Sequence, residues 1–200
     1  KIKHNDNIFL ITDDRVFSLY KNGIEKLKES FNVKLYYFKN GEGNKNINTV
    51  QGIYSFLIDN DANRDSVIIA LGGGVVGDIV GFVSSTYMRG IRYINIPTTL
   101  LSQVDSCIGG KVGYNYNGIK NVVGSFYNPY FVYVSTNFLK SLDEKYFIDG
   151  LGEIVKYALI KDGALFNYLN ENYRGILERE NDKMIHIIRT CLKLKKDIVE

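Results

Sequence analysis

The chain has 200 residues, 45% of them hydrophobic and 24% charged, which is enough apolar material for a soluble globular core of one large domain or one and a half ordinary ones. The formal net charge is only +3, and its basic residues are scattered until Lys193–Lys196, a run that reads as a solvated helix face, so nothing asks for nucleic acid. No apolar run approaches the roughly 20 residues of a membrane span, and no basic-then-apolar leader with a cleavage site is present.

In chain order, Ile8–Thr12 is a short apolar run read as a strand. Val16–Lys28 places Val16, Leu19, Tyr20, Ile24 and Leu27 at helical spacing. Val33–Phe38 is aromatic and β-branched and reads as a second strand, followed by a helix over Ile47–Leu57. Ser66–Leu71 is continuously apolar, as suits a strand covered on both faces, and runs into Gly72-Gly73-Gly74. A glycine-containing apolar helix starts near Val75, and strands follow at Tyr93–Ile96 and Phe131–Ser135. From about Glu144 the segments Gly150–Ile160, Leu165–Glu171 and Asp182–Val199 read as helices. The alternation predicts an α/β domain with a Rossmann-like parallel sheet over residues 1–143, followed by the beginning of an all-α domain over 144–200. Cys107 and Cys191 stand in no CxxC pattern and read as two reduced thiols of a cytoplasmic protein. The first residue is Lys1 rather than Met, so the chain is expected to be a fragment or a processed product.

Gly72, Gly74 and Gly77 form G-x-G-x-x-G between a strand and a helix. That arrangement lets a backbone approach a pyrophosphate at a helix N-terminus. The same glycines also suit close helix–sheet packing alone. The turn follows the third strand, and about twenty residues on stand Ile91 and Arg92 rather than an acid, so a ribose would be read from elsewhere. Asp13 and Glu42, after the first two strands, lie where open α/β sheets place a ligand crevice. Asp78 follows the glycines, either as a site carboxylate or as an answer to the helix dipole.

The next motifs are Tyr87-Met88-Arg89-Gly90, then Ile96-Pro97-Thr98-Thr99-Leu100-Leu101-Ser102-Gln103-Val104-Asp105. After them come Gly109-Gly110-Lys111-Val112-Gly113, Lys120-Asn121-Val122-Val123-Gly124-Ser125-Phe126, and Gly150-Leu151-Gly152-Glu153-Ile154-Val155-Lys156-Tyr157. This ordered series, with Gly72–Asp78 before it and Lys195 after it, resembles the 3-dehydroquinate synthases over nearly the whole chain. Ile119 stands where that family usually has Gly, Gly152 where Ala is common, and Cys107-Ile108 where smaller residues are frequent. The family's chain starts earlier and runs well past residue 200, where its two zinc-binding histidines lie.

The resemblance implies NAD- and zinc-dependent conversion of a heptulosonate phosphate to 3-dehydroquinate plus phosphate, in the shikimate pathway to aromatic amino acids. It implies that Asp13, Glu42, Lys45, Gly73, Gly74, Val75, Val76, Gly77, Asp78, Thr98, Thr99 and Lys120 line the NAD. Arg89, Lys111, Lys156 and Lys195 are expected to hold the anionic substrate, with Asp105 and Asn121 orienting it, and Arg89 to reach a neighbouring subunit of a homodimer. Glu153 matches the carboxylate ligand of zinc (or cobalt), with the other ligands expected past residue 200. On spacing alone Glu153 and Lys156 share a helix face other than the apolar stripe of Leu151, Ile154, Val155 and Ala158, and without the resemblance they read as an exposed ion pair. Neither His4 nor His186 is expected to bind metal, and this chain by itself is expected to hold zinc weakly at most and to be inactive. The competing readings are another sugar phosphate cyclase, such as a 2-deoxy-scyllo-inosose synthase, a glycerol-dehydrogenase-like polyol dehydrogenase, and a non-catalytic NAD-binding module.

Overall fold

A computed structural model of the protein describes residues 7–199, so His4 lies outside the described residues. The chain divides into two compact units. One holds residues up to Ile96 together with Gly110–Tyr133; the other holds Pro97–Gly109 and the chain from Val134 onward.

The first unit carries β1 (Ile8–Asp13), α1 (Asp14–Ser30), β2 (Val33–Phe38), α2 (Ile47–Asp59), β3 (Val67–Gly72), α3 (Gly74–Thr86) and β4 (Arg92–Pro97). It continues with β5 (Lys111–Tyr116), β6 (Ile119–Phe126) and β7 (Phe131–Val132). The sheet is five-stranded, in the order β2-β1-β3-β4-β7, and the pairs β1–β2, β1–β3 and β4–β7 are parallel. Every residue of β1 and β3 is buried. Alternation explains why both runs read as continuously apolar: Phe9, Ile11, Ile68 and Ala70 join the core that α2 and α3 complete with Val50, Ile53, Leu57, Val76, Ile79, Val80 and Val83. Each such Val, Leu, Ile or Phe side chain contributes about 1.5–3 kcal/mol on burial. The last expected strand is shorter than Phe131–Ser135, because Ser135 turns to cap the 3-10 turn Thr136–Ser141.

One element has no counterpart in the sequence reading. β5 and β6 form an antiparallel hairpin closed by Asn117-Gly118, with φ of 48° and 79°. Two successive positive φ values are what a two-residue type I′ loop requires, and Asn-Gly is its favoured pair. α3 packs directly on β5, and a Cβ at Gly81 would overlap Val112.

The second unit contains a π-helical turn (Ser102–Ser106), α4 (Glu144–Lys161), α5 (Gly163–Leu177) and α6 (Asn181–Val199). Its core joins Leu100, Val104, Leu139, Phe147, Ile154, Tyr157, Leu165, Ile176, Met184, Ile187, Ile188 and Cys191. The buried face of α4 is Phe147, Gly150, Ile154, Tyr157 and Ala158, so the expected stripe needs correction. Val155 is exposed, and Tyr157 takes an inward position that the expected stripe omitted. No described helix is long and apolar enough to cross a membrane.

Candidate active site

The order β2-β1-β3 means that the chain leaves β1 toward one edge and returns on its other side. The carboxyl ends of β1 and β3 therefore flank the point where strand order reverses, which is where such sheets bind ligands. Asp13 ends β1. It is buried, and its Oδ1 accepts from Val16 N at 2.8 Å, capping α1. Gly72 ends β3, joined to β1 by Thr12 Oγ1 donating to Leu71 O at 2.7 Å.

The glycines of the turn differ in what they do. A Cβ at Gly72 would stand 2.5 Å from Val76 Cγ2, so packing alone demands glycine there. A Cβ at Gly77 would meet nothing closer than Asn95 Nδ2 at 3.5 Å, an ordinary contact. Gly73 caps α3 with no side-chain acceptor, which leaves the first-turn N–H groups of Gly74, Val75 and Val76 without a side-chain cap. An uncapped helix start whose residues Gly73–Val75 and Gly77 are half-buried is chemically suited to a pyrophosphate.

Asp78 lies beyond the first turn of α3, so the dipole explanation weakens. Its partner is Lys45, a buried lysine whose Nζ donates to Asp78 Oδ2 at 2.5 Å and to Asn121 Oδ1 at 2.5 Å. Burial pushes the Asp78 carboxyl up, the Lys45 charge and hydrogen bond oppose that rise, and the nearby Glu42 charge adds to it. Glu42 Oε1 accepts from Asn115 Nδ2 at 2.9 Å, and Asn115 Oδ1 accepts from Asn121 N at 2.8 Å. Glu42, Lys45, Asp78 and Asn121 are thus brought into one network, together with Asn115, which sequence reasoning passed over.

Three other expected residues of this unit stand apart from that network. Arg89 follows α3 in a run of left-handed backbone, with φ of 48° at Met88, 69° at Arg89 and 118° at Gly90. Lys111 opens β5, and Lys120 lies where the β5–β6 ladder is irregular. All three make no ion pair among the described residues.

In the second unit, Thr98 is buried and Thr99 Oγ1 is 2.8 Å from Ser102 Oγ, a local turn that opens the π-helical segment. That segment carries Asp105, whose Oδ1 accepts from both Lys195 Nζ at 2.7 Å and Tyr157 OH at 2.5 Å. Burial pushes the Asp105 carboxyl up. The hydrogen bonds from Lys195 and Tyr157, with the charges of Lys195 and Lys156, outweigh it and hold the group below the ordinary carboxylate range. Tyr157 is raised in turn, by burial first and then by Asp105. Its place on the buried period of α4 was the available signal for it.

Glu153 and Lys156 pair on α4, with the glutamate 16% and the lysine 53% exposed. In isolation such a pair is worth about 0.3–0.5 kcal/mol. His186 lies against Tyr168, ring centroids 4.2 Å apart. Among the described residues no group of three or more His, Cys, Asp or Glu side chains could hold a metal ion, so Glu153 is one donor without a set. Burial pushes the thiols of Cys107 and Cys191 up to about 12, which disfavours the nucleophilic thiolate.

Residues 35–149 match the family model described as 3-dehydroquinate synthase N-terminal, and residues 150–200 the model described as 3-dehydroquinate synthase C-terminal. The 3-dehydroquinate synthase of Clostridium tetani is 66% identical over 200 residues, covering 100% of this chain and 54% of that protein. This chain therefore spans about half the length of the curated relatives it matches. Among solved structures, 2-epi-5-epi-valiolone synthase from Streptomyces hygroscopicus subsp. jinggangensis, with NAD+ and Zn2+ bound, superimposes with a TM-score of 0.89 at 28% identity, over 96% of this chain and 54% of that one. A 2-deoxy-scyllo-inosose synthase complexed with carbaglucose-6-phosphate, NAD+ and Co2+ gives 0.82 at 27% identity, over 99% and 55%.

Proposed function

The chain belongs to the 3-dehydroquinate synthase family, and from that premise we propose that its full-length protein converts 3-deoxy-D-arabino-heptulosonate 7-phosphate to 3-dehydroquinate and phosphate. That makes it a phosphorus–oxygen lyase of the shikimate pathway, and we place it in the cytoplasm. The reading is carried by 66% identity to a curated synthase over every residue of the chain.

Residues 1–143 serve as the NAD-binding part and 144–200 as the first portion of a helical metal and substrate domain. NAD, when bound, supplies a hydride acceptor that gives the hydride back within the same cycle. The open N–H groups of Gly74, Val75 and Val76, with Gly73 and Gly77 beside them, take the pyrophosphate. Asp13, Glu42, Lys45, Asp78, Thr98, Thr99 and Lys120 complete the lining. Lys45 offsets the buried negative charge of Asp78 and steers the Asn121 amide. Arg89, Lys111, Lys156 and Lys195 bind substrate phosphate and carboxylate, and Asp105 holds Lys195 in place. Arg89 acts on the neighbouring subunit's site, so the full-length protein works as a homodimer.

Oxidation of a secondary hydroxyl to a ketone acidifies the adjacent C–H, and phosphate then leaves by elimination. Reduction, ring opening and an intramolecular aldol step complete the carbocycle. Zinc, or cobalt in its place, is proposed for the whole protein, with Glu153 as the ligand from this stretch and the others from past residue 200. The described residues supply no complete donor set.

The test is phosphate release by the full-length product, supplied with NAD and zinc, from the heptulosonate phosphate and, in parallel, from glucose 6-phosphate. Release from the heptulosonate alone is expected. Release from glucose 6-phosphate alone would move the protein to the inosose cyclases, whose fold it shares.

A further inference from the structure

β5 and β6 pair in register from Lys111↔Phe126 to Tyr114↔Val123 and again at Tyr116↔Ile119, so the ladder breaks between Tyr114 and Tyr116. Asn115 is the β5 residue at that break, set against Lys120, Asn121 and Val122 on β6. Bulges of this kind re-aim side chains. Here Asn115 leaves β6 and bridges in parallel to Asn46, its N–H donating to Lys45 O at 2.8 Å. Asn121, with φ of 54°, adopts the left-handed conformation that asparagine tolerates better than most residues.

The Asn115 side chain uses both of its ends. Nδ2 donates to Glu42 Oε1, and Oδ1 accepts from Asn121 N. The partners fix the amide orientation, because a carboxylate can only accept and a backbone N–H can only donate. A ring closes through the lysine: Asn115 N to Lys45 O, Lys45 Nζ to Asn121 Oδ1, and Asn121 N back to Asn115 Oδ1. Asn115 is half-buried and outside the apolar core, so filling space is not what the residue contributes.

We propose that Asn115 is a positioning residue that sets Glu42 and Asn121 together, and so couples the placement of NAD to the placement of substrate. The inference rests on the functional reading above, in which Glu42 lines the cofactor and Asn121 orients the substrate. An asparagine suits this task because one planar amide donates to a carboxylate and accepts from a backbone N–H at the same time. Aspartate at this position keeps the acceptor for Asn121 N but sets a second carboxylate against Glu42.

The two arms can be separated in the full-length protein. For Asn115→Asp, the NAD dissociation constant measured by calorimetry should rise about tenfold or more, the size expected for losing a hydrogen bond to a charged group. Its kcat at saturating NAD should stay within about threefold of wild type, since the bond to Asn121 remains. Asn115→Ala should weaken NAD comparably and also lower kcat about tenfold. In an Asn121→Ala background the same change should lower kcat less than about twofold, because the partner it acts through is already gone. Undisturbed NAD affinity in Asn115→Asp, or full additivity of Asn115→Ala with Asn121→Ala, overturns the inference. Should Asn115→Ala fail to fold, the aspartate variant still decides the Glu42 arm. Wild-type protein that binds no NAD would instead sink the functional reading, and this inference with it.

Discussion

At Asp105 burial competes with two donors and two nearby ammonium charges, and the donors and charges win. A carboxylate with a folded-state pKa below its unfolded value contributes stability that is present above the unfolded pKa, about 3.9, and lost as pH falls through the folded one. Asp105→Asn should therefore destabilise the full-length protein at pH 7, and the difference from wild type should shrink as pH drops below about 4. Denaturant midpoints across that range check it; a difference that does not vary with pH would contradict the assignment. Tyr157→Phe removes one of the two donors to Oδ1. It should cost about 0.5–1.5 kcal/mol and move the Asp105 carboxyl upward, which a carboxyl-carbon NMR titration reads directly. Asp78 has the opposite sign: burial raises its carboxyl, so its ionisation opposes folding as pH rises through the folded pKa, and Lys45 limits that loss. None of these partnerships was legible in the sequence. Lys195 and Asp105 are 90 residues apart and Lys45 and Asn121 are 76 apart, and no periodicity links such pairs.

Among the elements, the strands of the parallel sheet were legible because burial on both faces leaves an unbroken apolar run, as in β3. The β5–β6 hairpin carried an equally plain signal in Asn117-Gly118, but glycines at 113 and 124 interrupt the alternation that marks a strand. Those glycines are there because the paired backbones approach closely: a Cβ at Gly113 would meet Val123 O at 2.5 Å. In α4 the apolar pattern misled, since Val155 faces out while Tyr157 and Gly150 face in. Two glycines of that helix give a matched pair of predictions. At Gly150 a Cβ would lie 2.7 Å from Leu100 Cβ and 2.8 Å from Leu101 N, so Gly150→Ala should destabilise by about 1–3 kcal/mol. At exposed Gly152 nothing lies within 4 Å, so Gly152→Ala should stabilise by about 0.5–1 kcal/mol through helix propensity. Thermal unfolding of the two variants beside wild type measures both, and equal shifts would refute the packing difference.

Over the whole molecule, the order β2-β1-β3 converts a glycine turn in an unusual place, after the third strand, into a turn at the point where strand order reverses. In the proposed function, Asp13 and Glu42 at other strand ends take the place of an acid about twenty residues downstream of the turn. Among the described residues, each compact unit holds a hydrogen-bonded network built around expected site residues, Glu42–Asn115–Asn121–Lys45–Asp78 in one and Tyr157–Asp105–Lys195 in the other. Of the proposed metal ligand set the sequence offers Glu153, and among the described residues no group of three or more His, Cys, Asp or Glu side chains could hold a metal ion. The proposed chemistry regenerates its NAD, whereas a polyol dehydrogenase built on a similar fold would consume it. The most direct measurement is the amount of phosphate released per NAD when the full-length protein receives heptulosonate 7-phosphate in large excess over NAD. A cyclase should release many phosphates per NAD with no net NADH. NADH accumulating in step with substrate, and turnover halting once NAD is spent, would contradict it.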